Sequence, residues 1–98
     1  MGPTQGVLLD IGVDAGALVV YADESRLGRE IWLSRRGQLA RIHVEILQRT
    51  TRTGQVYAAV FPSLREGNYE IWFGGPKPAA EATVVAGEVK EMSLFPLA

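Results

Sequence analysis

The 98-residue chain has no cysteine, one histidine and only two lysines. Without cysteine there are no disulfides, no thiolate metal ligands and no cysteine nucleophile, and the redox compartment is not encoded. A single histidine falls short of the three or four protein ligands that a metal centre usually needs. The formal net charge is -1 and the pI is about 5.8, so no excess of positive charge exists to hold a phosphate backbone or an anionic membrane surface. Neither nucleic acid nor membrane is expected as a partner. No uncharged apolar run reaches the roughly eighteen residues of a membrane helix. The opening Met-Gly-Pro-Thr-Gln-Gly also lacks the basic region and apolar stretch of a secretory leader. Cytoplasmic residence is the default expectation, although a mature secreted domain with its leader removed would read the same.

With 47% hydrophobic and 21% charged residues, the composition is that of an ordinary globular chain. Its length suits one domain over residues 1–98 with a single core. Eight of the ten basic residues are arginines, some close together, as in Arg35, Arg36 and Arg41. Glu30, Glu45 and Glu66 are scattered among them, which reads as a solvated mixed-charge surface rather than a phosphate patch.

Short β-rich runs bounded by Gly, Pro, Asp and Ser recur along the chain: residues 7–11, 17–21, 29–34, 41–49, 55–61, 68–73, 82–85 and 89–94. This spacing predicts an all-β, two-sheet antiparallel sandwich of seven or eight strands. No segment carries a long three-and-four apolar repeat, and Asp23 to Leu27 makes at most one short turn. Thr50-Thr51-Arg52-Thr53-Gly54 reads as a hairpin loop with its glycine at positive φ. Gly87 suggests a terminal antiparallel hairpin between the last two runs. The prolines of Gly74-Gly75-Pro76-Lys77-Pro78 mark a loop.

From Gly54 the residue order is specific: Tyr57, Ala59 and Phe61, then Leu64, Gly67, Tyr69 and Ile71. It resembles the corresponding stretch of prealbumin-like sandwiches, among them Cna-B repeats and the regulatory-like domains of carboxypeptidases. Residues 28–34 resemble the strand that opens that unit. The resemblance implies one sheet built from runs 41–49, 29–34, 55–61 and 68–73, facing a sheet of the others. It carries no catalytic pattern across. One histidine matches neither the iron-dependent catechol-cleaving enzymes nor the transthyretin-like hydrolases of this general fold. The late positions of Lys77 and Lys90 do not fit a Cna-B isopeptide crosslink.

Period-two alternation then turns Ile31, Leu33, Ile42, Val44, Ile46, Tyr57, Ala59, Phe61, Tyr69 and Ile71 inward. It turns Trp32 and Trp72 outward, and the sheet order that the resemblance implies puts them on either side of Ala58, with Val56 and Val60 close by. Such a row is more apolar than a solvent-facing sheet requires, and indoles are enriched at interface hot spots. The expected function is a non-enzymatic protein-interaction or structural module, self-associating or joining a protein partner through Trp32, Trp72, Ala58, Val56 and Val60. Alternatively, the tryptophans stabilise their own sheet, or loop 74–80 covers them. A rival from another class is a small ligand- or metal-binding protein or enzyme using His43 with Glu45 and Glu30. No catalytic residue, metal ligand set or cofactor is assigned. Asp10, Asp14 and Asp23 read as turn formers.

Overall fold

The structure, a computed structural model, describes residues 14–94. The expected run 7–11 and Asp10 lie outside those residues. Eight strands alternate with short connections: β1 Ala15–Ala22, β2 Glu30–Arg35, β3 Arg41–Glu45, β4 Leu47–Thr51, β5 Gly54–Arg65, β6 Gly67–Trp72, β7 Ala80–Val84 and β8 Val89–Ser93. A single 3-10 turn, Glu24–Arg26, follows β1. The strands make two four-stranded sheets, β4-β5-β1-β8 and β3-β2-β6-β7. Every pairing is antiparallel except β1 with β8, which run parallel. The molecule is therefore an all-β, mostly antiparallel sandwich.

Three expectations about connectivity are corrected. The run 41–49 is not one strand. At Ile46 the chain leaves the sheet of β3 and enters that of β4, with the Ile46 N–H donating to the Arg29 carbonyl at 2.8 Å and its carbonyl accepting from the Gly28 N–H at 2.9 Å. In consequence β4 takes β5 into the opposite sheet, and β2 pairs directly with β6. The sheet order implied by the resemblance, with run 55–61 between 29–34 and 68–73, does not occur. Finally, β7 and β8 do not form a hairpin. Gly87, at φ 79°, turns the chain from one sheet to the other, where β8 lies beside β1.

The Tyr69 hydroxyl, at the start of β6, donates to the Arg65 carbonyl at 2.6 Å, the hydrogen bond of a tyrosine corner. It fixes the passage from β5 in one sheet to β6 in the other.

The core fills the space between the sheets as alternation requires. Leu18 and Val20 of β1, Ile31 and Leu33 of β2, Ala59 and Phe61 of β5, Tyr69 and Ile71 of β6, and Val84 of β7 form one buried cluster. Burying each large aliphatic or Phe side chain contributes about 1.5–3 kcal/mol. The hairpin β4–β5 turns at Gly54, at φ 136°, as its loop residues predict. In β5, Phe61 faces Leu18 while Leu64 faces Gly16, so one extra residue bulges opposite Ala17. Pro62 falls in that bulge, where its missing N–H breaks no ladder bond.

Gly16 marks the closest approach of the chain to itself. A Cβ there would collide with the Val85 carbonyl oxygen and stand 2.7 Å from Val84 Cγ1. The neighbouring Gly87 N–H donates to the Ala15 carbonyl and the Ala17 N–H to the Glu88 carbonyl, at 2.8 and 3.0 Å, so the crossing chain cannot retreat without losing both. Gly16→Ala is expected to lower stability by about 1–3 kcal/mol, the usual cost of overpacking. The check is a thermal melt, in which each kcal/mol corresponds to a fall of about 4–8 °C for a domain of this size.

Candidate functional site

Trp32 and Trp72 both stand on the outer face of the β3-β2-β6-β7 sheet, as alternation predicts, but no strand separates them. They are direct cross-strand partners. Each is partly exposed, and each is held in place. The Trp72 indole N–H donates to Ser34 Oγ at 3.0 Å, which gives a partner to a buried polar side chain. The Arg41 guanidinium lies 3.7 Å from the centre of the Trp72 ring. From the same strand, β3, His43 tilts against Trp32 with ring centres 4.3 Å apart. Arg41, His43, Trp32 and Trp72 thus form a contiguous aromatic and cationic ladder across three strands.

The polar trio expected around His43 lies on this same face. His43 is directly opposite Trp32, and Glu45 directly opposite Glu30. His43 Nδ1 is 3.2 Å from Glu30 Oε2, within hydrogen-bond reach when that nitrogen carries a proton. Among the described residues no group of three or more His, Cys, Asp or Glu is placed to hold a metal ion. A second pair of like charges, Glu70 opposite Glu81 on β6 and β7, flanks the tryptophans on the other side. Arg41, Ser34, Glu70 and Glu81 were not among the site residues expected from sequence. Period-two spacing from His43, Trp32 and Trp72 marks the same face for the first three, and pairing with Glu70 marks it for Glu81.

Val56, Ala58 and Val60 do not belong to this face. They lie on β5 in the other sheet and point away from the main core there. Ala58 and Val60 are buried with Val19 and Tyr21 in a second, smaller cluster, against which Val56 and Val89 pack. Their placement beside the tryptophans assumed that β5 lay between β2 and β6.

Two other ionisable groups have distinctive surroundings. The Ser25 hydroxyl hydrogen-bonds to Asp23 Oδ1 and Arg26 pairs with Oδ2 at 2.7 Å, which holds the Asp23 carboxyl below its ordinary range. This is local turn chemistry. In the second cluster, the Tyr21 hydroxyl donates to Glu91 Oε2 at 2.9 Å. Burial, together with that hydrogen bond and the repulsion of a phenolate by the carboxylate, holds the Tyr21 phenol well above its ordinary value.

No helix among the described residues is long and apolar enough to cross a membrane. No protein family, no curated protein and no solved structure matches the chain.

The raised Tyr21 phenol gives stability a defined dependence on alkali. Below the ordinary tyrosine pKa of about 10, folded and unfolded chains both keep the proton and the stabilisation is complete. Above it the unfolded chain releases the proton while the folded chain keeps it, so stability falls as pH rises. Urea midpoints measured from neutral to strongly alkaline pH should show this decline, and Tyr21→Phe should make it shallower.

Proposed function

We propose that this chain is a non-enzymatic interaction module that binds a protein partner through the outer face of the β3-β2-β6-β7 sheet. One observation carries the proposal: a Trp32–Trp72 cross-strand pair on an outward face, bracketed by the directly opposed glutamates Glu30–Glu45 and Glu70–Glu81. Like charges directly opposite one another destabilise a sheet by a few tenths to about 1 kcal/mol. Two such pairs are not what an isolated sheet favours. A partner presenting lysine or arginine together with apolar side chains would neutralise them while covering the indoles. Arg41, already stacked on Trp72, is an internal example of the cation–aromatic contact available there.

The same charge count argues for a different partner rather than a second copy. Apposing this face to itself would bring four glutamates against four, with Arg41 as the compensating cation nearest the indoles. The stacking of His43 and Arg41 on the rings also leaves less free aromatic surface for a carbohydrate. The finer kinship with prealbumin-like modules of the Cna-B kind is part of this proposal. Its support is the residue order from Gly54 to Ile71. A catalytic or metal-binding role for His43, Glu45 and Glu30 has less support, since the trio is exposed and lacks a set of metal ligands.

The test uses a short peptide alternating lysine and leucine, with its glutamate-for-lysine counterpart as control, followed by calorimetry. The basic peptide should bind and the acidic one should not. Trp32→Ala and Trp72→Ala should each weaken binding by about 2 kcal/mol or more, roughly thirtyfold, while the double variant keeps a cooperative unfolding transition. Light scattering over a range of concentrations should give a monomer. Equal binding of both peptides, or loss of folding in the double variant, would make the tryptophans a device for stabilising their own sheet.

A further inference from the structure

A second surface lies at the other side of the fold, where the sandwich opens. β4 pairs with β5 only as far as Ala58, yet β5 continues to Arg65. β3 has meanwhile stayed in the opposite sheet. Between the outer part of β3 and the end of β5 the two sheets part, leaving a groove of about 240 Å³ with Leu33, Ile42, Leu64 and Tyr69 in its lining. Ile42 is half exposed there although it faces inward, and the nearby Leu39 is 97% exposed. The charged residues of the lining are both arginines, Arg35 and Arg65, and no carboxylate contributes to it.

The two arginines are available to a ligand in different ways. Arg35 is held. Its Nη1 donates to the Tyr69 hydroxyl at 3.0 Å and to the Arg65 carbonyl at 3.4 Å, and its Nη2 occupies the space beside Gly67, where a Cβ would stand 2.6 Å away. A guanidinium has five N–H donors, so three remain after those two bonds. Arg65 is exposed. Neither arginine forms an ion pair with a carboxylate among the described residues. An apolar slot with two uncompensated guanidinium groups selects a ligand that is apolar and anionic at once.

We infer that this groove binds the free C-terminal residue of a partner polypeptide, an aliphatic side chain entering between Ile42 and Leu64 and the α-carboxylate meeting Arg35 and Arg65. Size favours this occupant. Small-molecule sites usually run from about 300 to 1,000 Å³, whereas a groove below that range has room for one side chain. A chain terminus supplies that side chain and the charge from a single residue. An added β-strand fits less well, because Pro62 removes one main-chain donor from this stretch of β5. The groove is separate from the tryptophan face, so either assignment can fail without the other.

The experiment titrates the full chain, followed by NMR of its methyl and aromatic groups, with acetyl-Ala-Ala-Leu carrying a free carboxylate and with the same peptide as its C-terminal amide. The acid should shift the signals of Ile42, Leu64 and Tyr69. It should bind about tenfold or more tighter than the amide, the value of a charge-assisted hydrogen bond in this setting. Arg65→Gln removes an exposed side chain with no hydrogen bond among the described residues and should abolish the preference for the acid, while Trp32→Ala with Trp72→Ala should leave it unchanged. No shift at these residues at millimolar peptide, equal binding of acid and amide, or an unchanged preference in Arg65→Gln would each overturn the inference.

Discussion

The two main-chain hydrogen bonds at Ile46 decide which strand lies beside which. They tie the residue to Gly28 and Arg29 at the entrance of β2, and the side chain is fully buried. The chain therefore arrives at Ile46 in one sheet and leaves in the other, so β3 and β4 belong to opposite layers although one residue separates them. A tight hairpin obliges β5 to follow β4. With β5 removed to the other sheet, β2 has β6 as its inner neighbour, and Trp32 meets Trp72. The same separation leaves the end of β5 without a flanking strand and opens the groove beside Ile42. Both candidate surfaces depend on this corner.

Apart from 41–49, the strand runs among the described residues, the hairpin at Gly54 and the inward set from Tyr57 to Ile71 were legible because they follow from alternation and turn chemistry, which are local. The sheet change at Ile46 was not. Ile42, Val44 and Ile46 alternate without interruption, no Gly or Pro marks the corner, and a buried isoleucine suits either sheet. The bonds that make the corner use main-chain groups, which every residue carries. For Gly87 the turn was legible but its destination was not, since a glycine at positive φ serves a hairpin and a sheet crossing equally well. One further signal was present in β1. Leu18-Val19-Val20-Tyr21 does not alternate, and an unalternating apolar run marks a strand buried on both faces. Val19 and Tyr21 indeed join Ala58 and Val60 on the side away from the main core.

The candidate site was legible in part for the same reason. The tryptophans and the His43 trio were turned outward correctly by counting in twos. Arg41 sits two residues before His43 on the same strand face, and its stacking on Trp72 followed once β2 and β6 were neighbours. What counting could not supply was the partner across each strand gap. The opposed glutamate pairs exist only through register, and they are the feature that distinguishes this face from an ordinary solvated sheet.

Stabilising the sheet and presenting a binding surface are not competing roles for the tryptophan ladder. Ser34 accepts the Trp72 indole hydrogen bond from a buried position, and Arg41 and His43 pack against the rings. These contacts remove rotamer freedom from side chains that would otherwise lose it on association, where each immobilised side chain costs about 0.5–1.5 kcal/mol. A ladder that is rigid before a partner arrives therefore binds more favourably than the same residues free to move. The glutamate pairs act in the opposite sense: Glu30 has His43 Nδ1 within hydrogen-bond reach at 3.2 Å, while Glu70 and Glu81 stand directly opposite each other, an arrangement that added positive charge would relieve. In the proposed reading, rigid aromatics and opposed carboxylates on one face both favour association with a basic partner.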